Sequence, residues 1–202
     1  MASTIKVDTI DTPSGSGNIT LNRPVTGLSG SGASLTSLPA TALTSGIAVT
    51  ANGEVTMSSQ PAFASHNNAN DGSATGDGTE VTVDMDVESF DQGSNFASDI
   101  FTAPVTGRYL LSAQIIVSNL ASGHTNAKMK VVTSNRTYRR EWNPYDNIDV
   151  GTGSYKAMTI IADMDASDTA KINVSVTGGA KQITIGGEAT EWINFFSGAL
   201  LA

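Results

Sequence analysis

The turn Pro104-Val-Thr-Gly107, running directly into the alternating stretch Tyr109 to Val117, leaves this chain the least freedom. Proline fixes φ, and glycine accepts backbone angles that side-chained residues resist, so the pair brackets a tight turn. Beyond it, Tyr109, Leu111, Ala113, Ile115 and Val117 fall on one face of a period-two strand, and Leu110, Ser112, Gln114 and Ile116 on the other. The first face is core. The second is half apolar, more than one sandwich interior requires.

Further strands are expected around it. Ala62 to Asn68 and Val81 to Glu88 precede it; Ala127 to Thr133, Thr137 to Trp142, Tyr155 to Met164, Thr169 to Val176, Gln182 to Ile185 and Glu191 to Leu201 follow. Gly, Asn or Asp bounds each run, and no stretch keeps a helical period beyond a turn or two, so the fold class is all-β with sandwich spacing. Twenty glycines with only 15% charged residues agree with a turn-rich β protein. Asn67 to Gly78 reads as a polar loop. It fails the calcium-loop spacing, because Ala69 and Gly78 stand where ligands are needed.

Three stretches carry a family resemblance. Phe90-Asp-Gln-Gly-Ser-Asn-Phe96 with Phe101-Thr-Ala-Pro-Val-Thr-Gly-Arg-Tyr109, then the aspartate turn of Ile160 to Val174, then Phe196-Ser-Gly-Ala-Leu-Leu201 resemble, in that order, the globular head of complement and tumour-necrosis-factor-type proteins. The resemblance covers Pro61 to Ala202. It implies a ten-stranded jelly roll that forms a homotrimer, with Phe196 near the three-fold axis and Leu110 beside it. Together with the apolar second faces, it makes Leu110, Ile116, Trp192, Phe196 and Leu200 the expected trimer interface. In this reading Ile193, Phe195, Ala199 and Leu201 form the core side of the closing strand, because that row carries no amide. The resemblance also keeps Asp84 and Asp86 open as calcium ligands, although no metal site or other cofactor is expected.

Residues 1–58 read as an N-terminal segment and stem, and 59–202 as the head. Ile5, Val7 and Ile10, then Ile19 and Leu21, lie on two β-prone runs separated by Pro13-Ser-Gly-Ser-Gly17, the pattern of a hairpin too small to be stable alone. This opening resembles the N-terminal segment of fibre-type structural proteins in phages of marine cyanobacteria, which holds the subunit on the particle. Those five apolar residues are therefore the expected virion anchor. Thr26 to Gly46 is low in complexity, with Leu28, Leu35, Leu38 and Leu43 as a seam for three copies. Asn52-Gly53, between Ile47 to Ala51 and Glu54 to Met57, supplies the positive φ of a two-residue hairpin turn.

Several functions are disfavoured. A net charge of −8 repels nucleic acid, and Lys128, Lys130, Arg136, Arg139 and Arg140 read as the wet side of a strand pair. Met1 to Lys6 has no apolar run, so neither a signal peptide nor membrane insertion is expected. With no cysteine, the chain suits a reducing cytoplasm or relies on association for stability. Nucleophile elbows and phosphate loops are missing, and His66 and His124, read as surface residues, lack metal-ligand spacing, so no enzyme is expected. Trp142 and Tyr145, placed on a long loop, are either receptor contacts or a cover over the open end of the sandwich.

The reading is a non-enzymatic trimeric virion protein, a tail fibre or capsid appendage made in the host cytoplasm. Its N-terminus binds other virion proteins, and its head faces outward, where a host-surface glycan or protein is its expected contact. The alternative is a free extracellular recognition module binding glycan or protein.

Overall fold

A computed structural model describes residues 47–49, 52–144 and 153–201. The predicted hairpin forms: β1 (Ile47–Val49) pairs antiparallel with β2 (Val55–Met57), and Gly53 takes a φ of +87° in the turn. The expected anchor (Ile5, Val7, Ile10, Ile19, Leu21), the leucine seam and Tyr145 lie outside the described residues.

The head is a sandwich of two antiparallel sheets in a jelly-roll arrangement. Its strands are β3 (Ala62–His66), β4 (Asp71–Thr75), β5 (Glu80–Thr82), β6 (Val87–Gln92), β7 (Phe96–Ala97), β8 (Ile100–Thr102), β9 (Gly107–Ser118), β10 (Asn126–Thr133), β11 (Thr137–Trp142), β12 (Ser154–Met164), β13 (Thr169–Thr177), β14 (Ile183–Ile185) and β15 (Phe195–Leu200). The seven-stranded sheet runs β4-β14-β9-β15-β3-β6, with β12 on the other edge of β9. The six-stranded sheet runs β11-β10-β13-β8-β7, with β5 also on β13. These thirteen strands exceed the ten implied by the resemblance, chiefly through short pieces such as β4, which occupies the stretch read as a loop. Asp71–Thr75 has no run of apolar residues to announce a strand; its partner β14 makes it one.

β9 is the spine. Tyr109, Leu111, Ala113, Ile115 and Val117 are all buried, as their alternation requires, and the Tyr109 hydroxyl donates to the Val105 carbonyl at 2.7 Å, which ties the strand to its lead-in turn. Around Phe63 an aromatic cluster fills the space between the sheets. Phe101 stacks on it at 4.6 Å and Phe96 at 5.1 Å, and Phe196 meets it edge-on at 5.0 Å. Gly198 of β15 leaves room for this packing, since a Cβ there would lie 2.6 Å from Leu111 Cδ2 and 2.7 Å from Phe63 Cε1.

The two acidic motifs are turns whose carboxylates satisfy backbone donors. Asp91 accepts from the Asn95 and Phe96 amides at 3.0 and 2.9 Å, closing the loop that delivers Phe96 to the core. Asp168 accepts from the Asp165 amide at 2.8 Å and from the Asn135 side chain at 2.5 Å, which shapes the β12–β13 turn.

Candidate interaction face

The two sheets present unlike outer surfaces. Cross-strand register places Leu110 beside Ile161, Ser112 beside Thr159, Gln114 beside Ala157 and Ile116 beside Tyr155 on the outward face of β9 and β12. On the far edge of β9, β15 adds Phe195, Ser197 and Ala199 to the same face, and β3 and β6 continue it through Ala64 to Phe90. Ile161 is 57% exposed, and Phe90, Tyr155 and Leu110 are exposed as well. Trp192 extends the patch by stacking on His66, ring centroids 5.3 Å apart.

The outward face of the six-stranded sheet is a lattice of charge. Lys130 pairs with Glu80, while Lys128 and Arg139 both reach Glu141. Glu80 is held below the usual glutamate range by hydrogen bonds from Lys130 and Asn173; Glu141 is lowered chiefly by the Asn126 amide. The expected wet strand pair is thus β10–β11, with Arg140 as its exception: its guanidinium donates to the Ala157 carbonyl on β12, bridging the open edge between the sheets.

The structure redistributes the expected interface residues. Leu110 and Trp192 lie exposed on the outward apolar face. Phe196 does not: it is 0% exposed and belongs to its own subunit's core, while Phe195 faces outward, so the two faces of the closing strand are the reverse of the expectation. Asn194 explains the error. Its amide shares the core side yet is fully bonded, accepting from the Ile116 amide at 2.5 Å and donating to the Gly186 carbonyl, so its polarity did not exclude burial. Leu200 likewise packs against the core. Ile116 points outward but is roofed by the turns at Gly153 and Gly186, each of which leaves no room for a Cβ against it. Phe90, Tyr155, Ile161 and Phe195, which complete the face, carry no local signal; only pairing to β9 and β3 gathers them.

Trp142 is the last residue of β11 and half-buried against the core, with Lys156 Nζ 5.3 Å from its ring centroid. It ends the strand expected over Thr137 to Trp142 and covers the open edge of the sandwich, the second of its two expected readings. Burial and the neighbouring Arg140 push the Lys156 ammonium down. Both histidines are buried, contrary to expectation. His124 Nδ1 accepts from the Ala121 amide at 2.9 Å and Nε2 lies 3.1 Å from the Ala180 carbonyl, so the ring joins two loops as an Nε2–H tautomer. Asp84 and Asp86 are exposed residues; partial desolvation of the Asp84 carboxyl, then the charges of Asp99, Asp86 and Asp71, push it up. Among the described residues no three His, Cys, Asp or Glu side chains converge as a metal site.

No protein-family model and no curated protein matches the chain. Among solved structures it is similar to the globular domain of zebrafish complement 1qA protein, with 14% identity over 71% of this chain and 98% of that one and a TM-score of 0.48. Murine APRIL is similar at 13% identity over 70% and 99%, TM-score 0.46. Eiger TNF from S. frugiperda is similar at 14% over 71% and 93%, TM-score 0.43.

Proposed function

We propose that this chain is a non-enzymatic, homotrimeric structural protein of a virion, a fibre or capsid appendage whose N-terminus binds the particle and whose head contacts the host surface. The observation that carries association is the asymmetry between the sheets: one outer face exposes Phe90, Leu110, Tyr155 and Ile161 around the uncharged Ser112, Gln114 and Thr159, and the other holds the ion pairs. Exposed apolar side chains gathered on one face mark a protein interface. Three copies closing on it would bury Leu110, Phe195 and Ile161. The trimeric number and the virion setting rest on the resemblances of the head and of the opening residues.

Light scattering on the purified chain tests the assembly. A trimer at micromolar concentration is expected, and Leu110→Asp combined with Ile161→Asp should yield folded monomer; a monomeric parent chain would overturn the reading. Mass spectrometry of purified particles tests the setting, with the protein expected as a stoichiometric component.

A further inference from the structure

On the outward face of the six-stranded sheet, Lys130 of β10 stands directly opposite Asn173 of β13, and Asn173 directly opposite Thr82 of β5. Glu80, two residues before Thr82 on the same side of β5, reaches both neighbours. Its Oε2 accepts from Lys130 Nζ, and its Oε1 accepts from Asn173 Nδ2 at 2.8 Å. The Thr82 hydroxyl donates to Asn173 Oδ1 at 3.2 Å. An amine, a carboxamide, a carboxylate hydrogen-bonded to both, and a donor on the carboxamide oxygen are thus held together by three adjacent strands. The Lys130 side chain is 21% exposed and that of Glu80 37%, so both are partly withdrawn from water.

We propose that Lys130 and Asn173 become joined by an isopeptide bond that the chain forms on itself, with Glu80 as the proton relay. The neutral Lys130 amine attacks Asn173 Cγ, forming the Nζ–Cγ bond while the carbonyl electrons move onto Oδ1, where the Thr82 hydroxyl donates. Glu80 takes one proton from Nζ and delivers it to Nδ2. The Cγ–Nδ2 bond breaks, ammonia leaves, and a secondary amide remains. No oxidant or reductant is needed. In the ion pair Lys130 holds an extra proton, which must first be lost to solvent, so the reaction is favoured by alkaline pH. It occurs once per chain, and fixed cross-strand neighbours supply the high effective concentration such a step requires. The bond would tie β10 to β13 covalently in a protein that has no cysteine to do so.

The test is intact-mass measurement and peptide mapping of the purified full-length protein, incubated from neutral to mildly alkaline pH. Loss of one ammonia is expected, with the peptides containing Lys130 and Asn173 recovered joined. Lys130→Arg keeps the cation but offers no neutral amine at these pH values, and should give no joined peptide. Glu80→Gln should slow joining by about a hundredfold or more. Circular dichroism establishes that each variant is folded. Because Asn52-Gly53 can also lose ammonia by cyclising, the joined peptide is the readout. Its absence from folded wild-type protein at every pH overturns the proposal, and so does joining at an unchanged rate in Glu80→Gln.

Discussion

Phe196 and Phe195 are adjacent in sequence and belong to different energetic problems. Phe196 is wrapped by Phe63 and Phe96, so truncation to alanine removes a ring from a packed interior, where the cost is about 3–5 kcal/mol. We expect Phe196→Ala to lower the unfolding free energy of the subunit, measured by urea denaturation, by that amount. Phe195→Ala should leave the subunit's core nearly intact and make the melting temperature depend more steeply on protein concentration. Gly198 shows the same economy of space: with Leu111 and Phe63 pressing on it, the closing strand passes over the core only because this residue has no side chain.

At the scale of elements, β5, β10, β11 and β13 form a sheet whose outer surface is held by paired charge, and that makes its stability pH-dependent. Glu80 and Glu141 have folded-state values below the ordinary 4.5. A depressed acid stabilises the fold above its unfolded value and loses that contribution as pH falls through the folded value. Stability measured by thermal melting should therefore decline below about pH 4.5, and Glu80→Gln should flatten part of that decline. The size is modest, because both groups are solvent-screened. β4 and β14 illustrate a different property of elements, since neither is long enough to form alone: β14 is held on β9, and β4 in turn on β14.

For the molecule as a whole, the proposed roles are separable along the chain. The head has its own aromatic core, and among the described residues that core begins at Phe63. Removing residues 1–46 is expected to leave a folded protein, with an unchanged far-ultraviolet β spectrum, that no longer incorporates into particles. Incorporation of the truncated protein would place the attachment surface in the head.

Local chemistry alone determined the all-β class, the β1–β2 turn at Asn52-Gly53 and the buried face of β9, because strand alternation and turn residues act over only a few positions. The Asp91 and Asp168 turns entered through the family resemblance; Asp91 serves donors within five residues, whereas Asp168 joins a local donor to the distant Asn135 side chain. The facing of β15 was not legible. Polarity argued against Asn194 in the core, and its satisfaction depends on a backbone donor at Ile116 and an acceptor at Gly186 that only folding brings near. The candidate face and the Lys130–Glu80–Asn173 constellation were hidden likewise. Both are products of register between strands distant in sequence, and register is settled by how a whole sheet packs rather than by any one strand.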